Sequence, residues 1–358
     1  MKTASLLFTL AVLPFLSACT NTPQDSSQGS TQGSTTSQGK SIVPKAVWND
    51  TDGKMIDAHG GGFLCHDGIY YWYGEAKQRP TTLPDSATWE RYRVDVIGVS
   101  CYSSRDLVTW KNEGIVLPAV PNDTASDLHP SKVLERPKVI YNAKTKKFVM
   151  WFHAESADYS KACAGVAVSD SPTGPFEYLG SFRPNDSMSR DQTLFVDDDG
   201  TAYQFASSEH NKTLHINRLT PDYLKCDGTF TRTFIGWSRE APAVFKHDGK
   251  YYMLTSGCTG WDPNEADLAV ADSILGDWTM TGNPCVGPDA DKTFGGQSTY
   301  VLNTPAGLIA CFDVWNKHNL GDSRYVWLPL VANSDTTVAP TAFIIPWRDS
   351  WSFSDLAK

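Results

Sequence analysis

The stretch SREAPAVFKHDGKYYMLTSG, residues 238–257, reads as two β-strands and the turn between them. APAVFKH is a short apolar run, Asp248-Gly249 is a hairpin-turn pair, and GKYYMLTSG is aromatic and β-branched. Neither half has the three-to-four-residue spacing of an amphipathic helix. The same pair recurs along the chain. GGGFLCH precedes GIYYWYGE at 68–75, RPKVIYN precedes KKFVMWFHAE at 146–155, QTLFVDD precedes GTAYQFAS at 200–207, and QSTYVLN precedes GLIACFDVW at 307–315. A third strand follows each: IGVSCYSS, AGVAVSDS, LHINRL, DLAVADS and YVWLPLV. After it the chain often carries a turn and an aromatic, as at Trp110, Phe176 and Trp278. Five copies at a period of roughly 50–80 residues predict an all-β chain built as a five-bladed β-propeller over residues 42–358. A two-sheet sandwich would explain the strands but not the period.

In a propeller the first strand of each blade lines the axis, so residues at its start converge. At that register the five repeats read Asp57-Ala58-His59-Gly60, Glu135-Arg136, Arg190-Asp191, Arg239-Glu240 and Gly296-Gln297-Ser298. Carboxylates gathered at one point raise one another's pKa, so one of them is expected to hold a proton near neutral pH. Arg–carboxylate bridges at the blade junctions, through Arg136, Arg190 and Arg239, are the alternative reading of the same positions.

The rest of the chain narrows the setting. Residues 4–16 are nearly all apolar, follow Lys2, and are too short to span a bilayer, so they read as an export signal. The run ends Leu16-Ser17-Ala18-Cys19, which resembles a bacterial lipobox. That resemblance implies cleavage before Cys19, lipidation of Cys19, and an exported lipoprotein of the bacterial outer membrane, on its periplasmic face or the cell surface. Residues 1–18 are then the signal. Residues 19–41 begin with the lipidated Cys and continue as a Ser/Thr/Gln/Gly tether too polar to order itself. The membrane is met only through the lipid, and a monomer is expected. A net charge of −9 excludes nucleic acid as the partner. Seven cysteines remain beyond Cys19, an odd number without any C-x-x-C spacing, so no zinc site is expected. Twelve Trp and fourteen Tyr supply either core or flat faces for sugar rings.

The segments IDAHGGGFL, YYWYGE, LERPKVIYN, SRDQTLFVDDDGTAY, SREAPAVFKHDGKYYMLTSG, TGWDPNEA and GGQSTYV, in that order over roughly residues 45–350, resemble glycoside hydrolase family 43, and most of all its exo-β-1,3-galactanase branch. The resemblance implies an inverting five-bladed propeller enzyme acting on a polysaccharide or oligosaccharide. It implies Glu240 as general acid, Asp191 as the carboxylate that orients and tunes it, and Glu135 as a further active-site carboxylate. Most of the family has an Asp base at the first inner strand. This chain has His59-Gly60-Gly61-Gly62 there, as the galactanase branch does, and Gln297 matches the Gln proposed as base in that branch. An amide is a poor proton acceptor, so Gln297 would act as its imidic acid tautomer or hold the water. Asp57 and Glu75 are the conventional rivals.

Around the acid, Tyr159 and Trp261 are expected to stack on a pyranose, and Asn211 and Asp262 to bond hydroxyls, with Glu75, His59 and Asp57 completing the sugar site. Trp72 and Trp89 read as structural. No cofactor is expected; the calcium of some family members would need ligands for which His318 is the candidate. No carbohydrate-binding module is expected after the fifth blade. The expected function is therefore release of galactose from β-1,3-galactan, the backbone of arabinogalactan. An α-L-arabinofuranosidase or β-galactofuranosidase on the same fold, and a non-catalytic glycan-binding propeller, are the competing readings.

Overall fold

The structure, a computed structural model, describes residues 41–78, 94–335 and 337–356. Cys19, the tether and Trp89 lie outside the described residues. Five antiparallel sheets follow one another along the chain. Blade 1 holds β1 (His59–His66), β2 (Ile69–Glu75), β3 (Gly98–Ser104) and β4 (Lys111–Pro118); blade 2 holds β5 (Val133–Asn142), β6 (Lys147–Glu155), β7 (Cys163–Ser169) and β8 (Glu177–Phe182). Blade 3 holds β9 (Gln192–Val196), β10 (Ala202–Ser208), β11 (Thr213–Leu219) and β12 (Cys226–Thr233); blade 4 holds β13 (Arg239–His247), β14 (Lys250–Gly257), β15 (Asp267–Ala271) and β16 (Thr279–Gly282). Blade 5 consists of β18 (Gln297–Thr304), β19 (Gly307–Val314), β20 (Arg324–Ala332) and β21 (Phe343–Pro346), with the two-residue β17 (Cys285–Val286) pairing parallel to β21 at its edge.

The inner strands β1, β5, β9, β13 and β18 touch in a closed ring, β18 meeting β1. This is the five-bladed propeller that the repeats predict. Each blade has a fourth, outer strand beyond the three legible in the sequence. Of these, β12 is a half-exposed run of mostly polar residues, so its apolar signal is weak and its charges blunt the free edge, while β4 exposes its polar first half and buries Val116 and Leu117. The aromatics before them are buried plugs, with Trp110, Phe176 and Trp278 each less than a tenth exposed.

No crossover joins the last blade to the first, so that seam is held without a covalent link. Ile42 N donates to Trp351 O at 2.7 Å and Trp351 N returns a bond to Ile42 O at 3.0 Å. Behind them Trp327 packs against Trp48 and Trp72 with ring centroids 4.8 and 4.9 Å away. Edge-to-face contacts of this kind add to the area that they bury. Trp72 is thus a seam residue, 2% exposed.

One local device aims the axial side chains. At the start of β1, β5 and β13 the pairing register slips, between His59 and Gly62, Glu135 and Lys138, and Glu240 and Ala243. The residue inside each slip takes a left-handed backbone, with φ of 58° at Gly60, 54° at Arg136 and 53° at Ala241. These are β-bulges, which bend the strand and re-aim a side chain at the rim of a sheet. At Gly60 a Cβ would lie 2.3 Å from Glu75 Oε1, so a larger residue there would displace the Glu75 carboxylate.

Candidate active site

Glu240, from the bulge of β13, is the centre of the axial site. Burial pushes its carboxyl up, the charge of Asp191 pushes it further, and Arg136, Cys258 and Gln297 only partly offset them, leaving it at about 8. A carboxyl in that range is protonated at neutral pH and can donate a proton. Asn211 Nδ2 donates to Glu240 Oε2 at 3.2 Å, and Gln297 Nε2 donates to Glu240 Oε1 at 3.0 Å.

Gln297, the first residue of β18, is the hub of the site. Its Oε1 accepts from Arg136 Nη2 at 2.5 Å and from Trp315 Nε1 at 2.9 Å, while Nε2 also donates to Ser256 Oγ at 3.0 Å. Guanidinium and indole have hydrogens and no lone pair to offer, so they fix which end of the amide is oxygen. They also bear on its chemistry. The imidic acid tautomer would put a hydrogen on an oxygen that faces two groups unable to accept it. In this arrangement Gln297 serves as a donor to the acid. Arg136 bridges further, to Asp191 Oδ2 at 2.9 Å and to the Ser298 carbonyl at 3.0 Å. It therefore ties blades 2, 3 and 5 together at the axis. Of the three arginines that the sequence offered as junction bridges, Arg136 alone pairs with an axial carboxylate. Arg190 reaches Glu155 at 3.9 Å and Arg239 reaches Asp267 at 3.1 Å.

Glu135 stands on the other side of Arg136. Burial alone would raise its carboxyl, but the His153 imidazole, Lys77 and the Tyr159 hydroxyl hold it down to about 2. Tyr159 Oη donates to Glu135 Oε1 at 2.8 Å, and His153 Nδ1 lies 3.2 Å from Oε2. His153 Nε2 lies 3.2 Å from Glu155 Oε2. Burial would push His153 down, yet a carboxylate at each ring nitrogen raises it to about 9, so it stays an imidazolium.

The ligand atoms of Glu135, His153 and Asp191 lie within 4.8 Å of one another, the spacing of a metal site. They do not fit a cation. A metal-bound imidazole is neutral, whereas His153 is held protonated between two carboxylates, and Asp191 already has Arg136. His318, named above for calcium, is exposed on the loop after β19 and is not in this group.

Three residues placed in the sugar site by the sequence belong instead to the wall behind it. His59 is fully buried, its Nδ1 3.3 Å from Asp313 Oδ1 and its ring stacked on Tyr325 at 4.9 Å. Asp57 accepts the backbone N–H of Lys77 at 2.8 Å and of Gln78 at 2.9 Å, so it pins the exit of β2. Glu75 is 3% exposed, pairs with Lys77 Nζ at 2.6 Å and accepts the Arg136 N–H at 2.9 Å. Each carboxylate is engaged by its neighbours. Asp262 is an exposed rim residue paired with Lys317 Nζ at 2.8 Å, and Asn211 touches the acid as described.

Trp261 leans edge-on against Trp315, centroids 5.1 Å apart, and Lys77 Nζ sits 5.9 Å from each ring. Trp315, Lys77, His153 and Arg136 were missed as site residues. The signal that would have found three of them is pairing: hairpin register puts the end of each second strand beside the start of the first, as His59 pairs with Glu75 and Glu135 with His153. The residues around positions 75, 153 and 315 therefore face the axis with those at 59, 135 and 297.

A closed propeller whose axis presents one carboxyl held protonated, a second held ionised and an aromatic wall beside them defines a glycoside hydrolase. The comparisons with known proteins agree. The family model for glycosyl hydrolases family 43 matches residues 63–317. A solved family 43 β-1,3-galactosidase, bound to galactodeoxynojirimycin, is 44% identical, with 87% of this chain and 100% of that one covered and a TM-score of 0.79. The exo-β-1,3-galactanase of Phanerochaete chrysosporium, solved with β-1,3-galactotriose, is 35% identical over 87% of this chain and 68% of that one, TM-score 0.77. The arabinoxylan arabinofuranohydrolase of Bacillus subtilis (strain 168) is 26% identical over 66% of this chain. The chain spans about half the length of that curated relative, 52%. This chain belongs to glycosyl hydrolase family 43.

Proposed function

We propose that the chain is an inverting, exo-acting β-1,3-galactosidase that releases galactose from β-1,3-galactan. The observation that carries this reading is the direct bond from Gln297 to the acid, at a site whose blade-1 register offers glycine where most of the family has an Asp. The neighbours at 35–44% identity named for β-1,3-linked galactose support it. Glu240 protonates the leaving oxygen. Asp191 keeps that proton in place by its charge, and Glu135 with Tyr159 binds the hydroxyls of the departing sugar. Inversion needs a water between the groups on either face of the sugar, about 6.5–9.5 Å apart. Glu240 and Gln297 touch at 3.0 Å. The galactosyl ring enters between them, and the Gln297 amide that it displaces from Glu240 holds the attacking water; as the bond from that water to the anomeric carbon forms and the bond to the leaving oxygen breaks, Glu240 gives its proton to the leaving oxygen and the water loses its own to solvent. Incubation with β-1,3-galactan is the test: galactose as the sole early product is expected, and no release from it sinks the proposal. The arabinofuranohydrolase relatives favour an arabinofuranosidase as second reading, and nitrophenyl arabinofuranoside cleaved faster than galactan would establish it.

The role of Asp191 has a pH signature. kcat/KM falls as the free acid loses its proton, so its basic limb should lie near the value of about 8 that burial and Asp191 give Glu240. In Asp191→Asn one negative charge is gone and Arg136 is unopposed, both of which favour ionised Glu240. The basic limb should therefore move to lower pH, beyond any loss of rate. A limb that stays put would leave Asp191 a merely structural partner of Arg136.

For the N-terminus we propose lipidation at Cys19 and anchoring through it. No helix among the described residues is long and apolar enough to cross a membrane. Cys19→Ser should release the protein from washed membranes, and retention would refute the anchor.

A further inference from the structure

The crossover from blade 3 to blade 4, residues 234–238, runs from the outer strand β12 to the start of the inner strand β13. It must cross the face that bears the axial site, because β13 starts there with Arg239 and Glu240. Trp237 stands on this crossover with 60% of its surface exposed, the most exposed large hydrophobic side chain among the described residues. Ile235, two residues before it, is 59% exposed. Three residues of chain reach at most about 11 Å, so Trp237 cannot lie far from the acid.

The crossover is also fixed to the acid's other partners. Gly236 N donates to Lys212 O at 2.7 Å, in the turn that carries Asn211, and Asn211 reaches Glu240. Trp237 N donates to Phe234 O at 3.0 Å, and Cys258 Sγ donates to Ser238 O at 3.1 Å. A single rigid ledge thus joins the indole to the side of the site where Glu240 sits. An exposed indole on such a ledge is costly to leave in water and offers a flat apolar face.

Direction follows from chemistry. The general acid lies on the leaving-group side of the scissile bond. The polymer beyond the cleaved bond must leave past Glu240, while Trp261, Trp315 and Lys77 wall the blade 4–5–1 side. We infer that Trp237 is a stacking platform for the leaving galactan chain, beyond the first sugar after the cleaved bond. This rests on the galactosidase reading. The platform takes a pyranose ring by its apolar face and gives the enzyme a preference for longer chains.

The experiment compares kcat/KM for β-1,3-linked galactobiose with that for the tri- and tetrasaccharide, in wild type, Trp237→Ala and Trp237→Phe. In the wild type kcat/KM should rise with chain length. In Trp237→Ala the ratio of tetrasaccharide to disaccharide should fall about three- to tenfold, the worth of one aromatic contact, and Trp237→Phe should recover most of it. The side chain is mostly in solvent, so neither variant should unfold. A ratio unchanged in Trp237→Ala overturns the platform, whether or not overall activity falls. So does a wild type that hydrolyses all three at one rate. A wild type inactive on all three sinks the galactosidase reading itself.

Discussion

Glu240→Gln should lose about 10²–10⁴-fold in turnover on β-1,3-galactan while binding it as well as the wild type does. The substitution keeps the shape of the side chain and removes the transferable proton; of the two oxygens that accept from Asn211 and Gln297 it leaves one, so one of those contacts is lost. It also removes a group whose ionisation is disfavoured by burial and by Asp191. The variant should still fold, and a melting temperature close to that of the wild type separates loss of activity from loss of stability. Calorimetric binding of a galacto-oligosaccharide alongside the turnover assay checks both halves. Turnover within a few-fold of wild type would take Glu240 out of the mechanism.

The second large effect separates Gln297 from Asp57. Gln297→Ala removes the amide that holds the attacking water and the acceptor that keeps Arg136 and Trp315 in place. Losing one preorganised donor at a reacting centre costs about 10²–10³ in kcat, so a kcat loss of that size is expected with little change in melting temperature. Asp57→Ala should do the reverse. Its carboxylate accepts the Lys77 and Gln78 backbone N–H groups, and leaving buried donors unpaired costs about 1–3 kcal/mol. The melting temperature should fall while kcat per folded molecule stays within a few-fold. Asp57→Ala inactive beside an active Gln297→Ala would make Asp57 the base. Gln297→Glu should not improve on the wild type, because a further carboxylate beside Glu240 raises the acid's grip on its proton.

The periodic hairpins make the fold legible, and inner-strand register points to Glu135, Asp191, Glu240 and Gln297: Arg136 joins Gln297 to Asp191, Gln297 reaches Glu240, and Glu135 lies beside Asp191. Register is not enough where side-chain direction decides. His59 holds the same bulge register as Glu135 and Glu240, but Asp313 and Tyr325 draw its ring into the wall. Glu75 ends its strand at the axis, yet Lys77, two residues on, folds back to neutralise it. Such choices depend on charges brought close by the closed ring, far apart in sequence. The outer strand β12 is hidden for a different reason: it faces water and has almost no apolar pattern to read.

The most direct measurement is the anomer first formed. Hydrolysis of β-1,3-galactobiose followed by proton NMR from the first seconds should show α-galactose appearing ahead of mutarotation. That is the outcome for a water attacking the face opposite Glu240. β-Galactose as the first product would mean a covalent intermediate, for which the pairing of Glu240 with an amide provides no nucleophile, and would contradict the account.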